Sequence, residues 1–143
     1  MKLDSKAYLN SIVKTAQMGQ IGIRSVLNQP VRASLRSTLK AQLHEYDQIE
    51  QEAMKIAGSN GWKLDELNPM VKTMTNFMTK ARLTFGDTSA KAAAMMIQGN
   101  TRGIIKGYKN MHNNKCSDDR VNQLQAKLLS HEEEYTKQMQ GFL

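Results

Sequence analysis

Along four long stretches of the chain, apolar residues recur alternately three and four positions apart, the spacing that gathers them on one stripe of a helix facing a core. The first stripe is Leu9, Val13, Ala16, Gln20, Ile23 and Leu27, and the second is Leu35, Leu39, Gln42, Tyr46, Ile49, Ala53 and Ile56. The third runs Ala93, Ile97, Asn100, Ile104, Tyr108 and Met111, and the fourth Val121, Leu124, Leu128, His131, Tyr135, Met139 and Phe142. Breakers fall between them at Asn28-Gln29-Pro30, Gly58-Ser59-Asn60-Gly61, Asn68-Pro69, Gly86-Asp87 and Asn113 to Ser117. Asp4 or Ser5, Asn68, Asp87 and Ser117 stand where N-caps belong. Pro69 takes a first helical position, and Gly58 can stop a helix in the left-handed conformation. The pattern predicts helices over 5–28, 31–57, 69–85, 88–112 and 118–141. The 69–85 helix has its own stripe of Met70, Met74, Phe77, Met78, Ala81 and Phe85. It is expected to pack on the others, with a dimer contact or a hydrophobic ligand as the alternative.

The chain also repeats itself. At an offset of 89, Leu35, Leu39, Gln42, Glu45 and Tyr46 fall on Leu124, Leu128, His131, Glu134 and Tyr135, and at an offset of 80 Gly19-Gln20 falls more weakly on Gly99-Asn100. This suggests two helical hairpins joined by about thirty residues that contain the extra helix. The second helix spans ~39 Å at ~1.5 Å per residue, and the 69–85 helix supplies ~24 Å of the return path. Each long helix carries one polar residue near the middle of its stripe. Gln20, Gln42, Asn100 and His131 come to similar heights, so they are expected to form one loose polar layer inside a four-helix bundle.

Length and composition narrow the class. With 143 residues and 40% hydrophobic content the chain is one domain, 1–143, too apolar for disorder. Two Pro and one Cys exclude a disulfide scaffold and disfavour a turn-rich β sandwich. There is no run of 18 apolar residues and the first residues lack a signal-peptide pattern, so no membrane span is expected and a cytoplasmic location is. Cys116, alone in its loop, has no CxxC partner, and His112 four residues before it is expected to interact with the last carbonyls of its helix.

Charge is unevenly spread around a net +7. Residues 5–44 carry Lys6, Lys14, Arg24, Arg32, Arg36 and Lys40 with no acid, and 88–117 carry Lys91, Arg102, Lys106, Lys109 and Lys115 with none. The basic residues are singly spaced, without interleaved aromatics or a helix-turn-helix or zinc-finger spacing. A solvated basic face is therefore the plain reading, and nonspecific nucleic-acid binding through Arg24, Arg102 and Lys106 the sharper one.

Two antiparallel hairpins, a long helical crossover between the second and third long helices, and polar mid-core residues followed three positions later by another polar group together resemble the ferritin-like superfamily. The segments AQMGQIGIRSVL, KAQLHEYDQIEQEA and MMIQGNTRGIIKGYKN resemble, more narrowly, a bacterial ferritin-like domain family of unknown function. The resemblance covers essentially the whole chain and implies an all-α ferritin-like bundle. Di-iron members of such bundles use a Glu from each of two helices and ExxH from the other two. This chain has Gln20 and Asn100 where the single acids belong, and Gln42-x-x-Glu45 and His131-x-x-Glu134 where ExxH belongs. His44 falls on another face of its helix and does not restore the motif.

The expected function is thus non-catalytic, structural or protein-interacting, in a self-associating, dimeric protein whose metal site has degenerated. No cofactor is expected, and a protein partner of unknown identity is the implied ligand. The alternative is a di-iron-type redox or storage protein that binds Fe, Mn or Zn through Glu45, His131 and Glu134. Nucleic-acid binding stands as the second alternative.

Overall fold

The computed structural model describes residues 4–65, 88–114 and 116–143. Among them the chain forms four helices and no strand, an all-α bundle: α1 (Ser5–Leu27), α2 (Ala33–Asn60), α3 (Ser89–Asn113) and α4 (Asp119–Gln140). The helix expected over 69–85, with its methionine stripe, lies outside the described residues.

The helix ends follow from local chemistry. Asp4 caps α1 by accepting the Ala7 N–H at 2.7 Å. Arg36 reaches from α2 to the carbonyls of Leu27 (2.8 Å) and Gln29 (3.2 Å), satisfying acceptors that the end of α1 leaves free. α2 runs past Gly58 to Asn60. The left-handed residue is Gly61 (φ 67°), and its N–H bonds to the Gly58 carbonyl while that of Trp62 bonds to Ala57. That paired closure is a Schellman motif, and it sets Trp62 against the core. At α4 the cap is Asp118 rather than Ser117. Its carboxylate accepts the Arg120 N–H and guanidinium and the Asn60 amide, contacts that hold its pKa well below the usual carboxylate range and tie the end of α2 to the start of α4.

Cross-helix partners give the topology. Gln20 of α1 meets Glu50 of α2, Asn110 of α3 meets Gln125 of α4, and Gln42 of α2 meets Gln138 of α4, so each of these pairs is antiparallel. Asn110 also donates to Ser11 of α1 at 2.9 Å, while at the other end Thr88 bonds to the Pro30 carbonyl. Hence α1 and α4 run one way and α2 and α3 the other. The chain leaves α2 at one end of the bundle and enters α3 at the opposite end.

The core takes Leu9, Ile12, Ala16 and Ile23 from α1, Leu35, Leu39, Tyr46, Ile49 and Ala53 from α2, Ala93 and Met96 from α3, and Val121, Leu124, Leu128, Tyr135 and Met139 from α4. Tyr46 and Tyr135, equated by the 89-residue offset, meet ring edge to face with centroids 5.2 Å apart. The third stripe is where the structure differs from expectation. Ala93 and Asn100 are buried as expected, but Tyr108 and Met111 are 45% and 40% exposed, and α3 buries Ala92, Met96, Gly107 and Asn110 in place of the rest of the stripe. The cause is a glycine seam. Gly103 and Gly107 present bare backbone, onto which Glu132, Gln125 and Leu129 of α4 settle, and this rotates α3 away from its purely apolar stripe.

Glycine also governs the contact of α1 with α2, because the Tyr46 ring lies directly over Gly19, whereas no described residue approaches the exposed Gly99. Gly19→Ala is expected to force the ring aside and cost about 1–3 kcal/mol. Gly99→Ala is expected to stabilise by ~0.8–1 kcal/mol through helix propensity. Urea unfolding of the two variants beside the parent chain checks the opposite signs.

Candidate functional site

The polar chemistry of the bundle concentrates at mid-height, around Tyr46, Asn100, Glu132 and Tyr135. Glu132 follows Gln125, Leu128 and Leu129 on the buried face of α4 and is 3% exposed. Its carboxyl rests on the backbone of Gly103 as the Tyr46 ring rests on Gly19. Each hairpin therefore supplies one glycine that receives a large side chain from the neighbouring helix, and the two received side chains meet. The Tyr46 hydroxyl lies 3.0 Å from Glu132 Oε2 and 3.3 Å from Asn100 Oδ1.

Burial pushes the Glu132 carboxyl up to about 8, against a smaller lowering by the Tyr46 hydroxyl. The hydrogen-bond geometry agrees with a neutral acid. Tyr46 has one hydroxyl proton and two acceptor oxygens beside it. The Tyr46 hydroxyl can donate to Glu132 Oε2 or to Asn100 Oδ1 but not to both at once; with Glu132 protonated both contacts are made, Glu132 donating to Tyr46 Oη and Tyr46 to Asn100 Oδ1. Burial and then the Glu132 carboxylate raise the Tyr46 phenol well above its ordinary range. Burial, with Glu45 and Glu132 nearby, raises that of Tyr135. Among the described residues, Glu132 Oε1, Asn100 Nδ2 and Gln42 Oε1 are buried and find no hydrogen-bond partner.

Of the residues expected to form one polar layer, Gln20, Gln42 and Asn100 are buried and His131 is half-buried, and they do not bond one another. Gln20 donates to Glu50 Oε1 at 2.9 Å, beside Gln17 on Oε2, and Gln42 donates to Gln138 at 2.8 Å. Asn100 takes Tyr46. His131 stacks on Tyr135 and pairs with Glu45 at 3.0 Å, with side chains 25% and 36% exposed. Glu134 is exposed, as are Arg24, Arg102 and Lys106. The layer is thus a set of separate links: Gln20 and Gln42 find partners on adjoining helices, and Asn100 meets Tyr46 across the bundle. His112 stacks on Tyr108, and the buried Cys116 shares two hydrogen bonds with Asn122.

Among the described residues the candidate metal donors are not brought together. Glu45 and His131 form a pair at the rim, Glu134 faces outward, and the carboxamides already serve other partners. Among the described residues no three His, Cys, Asp or Glu side chains are grouped to hold a metal ion. No described helix is long and apolar enough to cross a membrane. Sequence reasoning passed over Glu132, Glu50, Gln17 and Gln138. For Glu132 a signal existed in the four-then-three spacing of Gln125, Leu129 and Glu132, one helical stripe that faces Gly103 and Gly107 on the neighbouring helix.

Compared with models of protein families, with curated proteins and with solved structures, the chain matches none.

Tyr46→Phe removes the hydroxyl that links the hairpins and leaves Glu132 and Asn100 buried without it. A loss of about 1–3 kcal/mol is expected, read by chemical denaturation at pH 7 with tyrosine and tryptophan fluorescence.

Proposed function

We propose that this chain is a ferritin-like bundle, its 66–87 segment carrying the chain from one end to the other, and that it serves as a dimeric, non-catalytic structural or protein-interaction module. The observation that carries this reading is the use made of the mid-bundle polar groups. Gln17 and Gln20 hold Glu50 and Gln42 holds Gln138, joining helices in pairs, and the three-way meeting of Tyr46, Glu132 and Asn100 brings only one carboxyl to a shared point. Side chains committed in this way set helix register, as buried polar contacts do elsewhere. They leave few donors for a metal, which needs several ligands at fixed geometry. The fold resemblance supports the crossover, since α2 ends and α3 begins at opposite ends of the bundle.

The test is elemental analysis of protein purified without a metal-affinity tag, followed by Fe, Mn and Zn titration with thermal melting. No stoichiometric metal and no stabilisation on its addition are expected, together with a light-scattering mass twice the 16.1 kDa of one chain. Stoichiometric metal that is lost in Glu45→Ala/Glu134→Ala protein overturns the reading in favour of redox or storage chemistry.

A further inference from the structure

We propose that Glu132 is a proton-operated latch between the two helical hairpins: neutral, its carboxyl joins α3–α4 to Tyr46 of α2, and ionised, it loosens the middle of the bundle and lets the hairpins part. The inference concerns the internal mechanics of the fold and holds whether or not the bundle is an interaction module.

The geometry has three parts. First, the carboxyl is closed in, with Tyr46 on one side and the Gly103 backbone on the other, so the side chain has no room to swing toward solvent while the helices stay together. Second, among the described residues nothing beside it compensates a negative charge. The titratable group facing it from α2 is Tyr46, α3 presents the uncharged Asn100 and Gly103, and its own helix presents Tyr135. On the α1 side Gly19 backs the Tyr46 ring, and Gln20 is occupied with the Glu50 carboxylate. The described pair in this neighbourhood that includes a base, His131 with Glu45, is half-exposed beyond Tyr135, and its Glu45 carboxylate adds negative charge. Third, packing is denser within each hairpin than between them, so parting the hairpins is the less costly way to bring water to the carboxylate.

The direction follows from linkage. The carboxyl pKa is raised from 4.5 in the open chain to about 8 in the folded one. The native state therefore holds more protons than the unfolded state between those values. Stability contributed by the neutral acid is complete below the lower value, declines as pH rises through the window, and is lost above the upper one. Ionisation releases one proton to solvent, and no other reactant is involved.

The latch is tested by urea unfolding of the parent chain and Glu132→Gln across about pH 5.5 to 9. Gln keeps an N–H donor as well as an acceptor for Tyr46 and cannot ionise. The folding equilibrium constant of the parent, taken relative to the variant, is expected to fall about tenfold per pH unit between roughly pH 5.5 and 7.5 and to level off above about 8. Parallel profiles in the two proteins overturn the proposal. Should Glu132→Gln not fold, carbon NMR of the parent with labelled glutamate carboxyls decides: one carboxyl titrating near pH 8 supports the latch, and ordinary titration of all of them overturns it. Spin labels at exposed Gln48 of α2 and Gln98 of α3, with Cys116 replaced by Ala, read the parting itself. A distance distribution that widens between about pH 6.5 and 9 is expected, and an unchanged one shows that ionisation does not move the hairpins and overturns the mechanism.

Discussion

A carboxyl group enclosed in hydrocarbon has two stable options, pairing with a cation or keeping its proton, and the bundle is built around the second. Glu132 meets the Tyr46 hydroxyl at 3.0 Å, and behind each stands a glycine, Gly103 and Gly19, on the next helix round. One hydrogen bond thereby fixes the spacing of all four helices at mid-height. A side chain on either glycine pushes its neighbour toward the axis, and a shorter residue at either end of the bond leaves a buried polar atom unanswered. Asn100 closes the chain of contacts on α3, accepting where Tyr46 needs an acceptor. The seam that exposes Tyr108 and buries Gly107 follows from the same demand, since α4 must come close enough for Glu132 to lie on the α3 backbone.

The remaining polar links keep the helices from sliding. Apolar stripes tolerate a shift along the axis, because hydrophobic contact has no direction. The hydrogen bonds of Gln17 and Gln20 to Glu50, of Gln42 to Gln138, and of Asn110 to Ser11 and Gln125 do not, because a slip of one residue, ~1.5 Å, breaks each of them. They are spaced along the bundle and between different helix pairs, so no single slip satisfies them all.

The helices themselves were readable from sequence because stripes and breakers report them directly, and the observed ends of α1, α3 and α4 fall within a residue of those expected. The end of α2 was misplaced since Gly58 and Gly61 are equal candidates locally, and only the landing place of Trp62 on the core selects Gly61. The burial of Gln20, Gln42 and Asn100 was visible as polar residues inside apolar stripes. Their partners were not, for Glu50, Gln138 and Tyr46 lie on other helices and their pairing depends on how each helix is rotated. Rotation is also what hid Glu132. His131 and Glu132 point ~100° apart on α4, the apolar period accommodates either, and the choice between them is made by glycines on α3 that a hydrophobic pattern does not count.

The directions of the helices have a consequence for the field around the molecule. The N-termini of α2 and α3 share an end of the bundle with the C-termini of α1 and α4, and the reverse holds at the other end. Each helix carries roughly half an elementary charge at either terminus, of opposite sign. Here two positive and two negative ends sit together, so the backbone dipoles largely cancel and neither pole of the bundle is an electrode. What an approaching molecule senses at a distance is the side-chain charge alone, a net +7. Salt damps that attraction over a Debye length of ~8–10 Å, leaving contact chemistry to choose among partners that arrive.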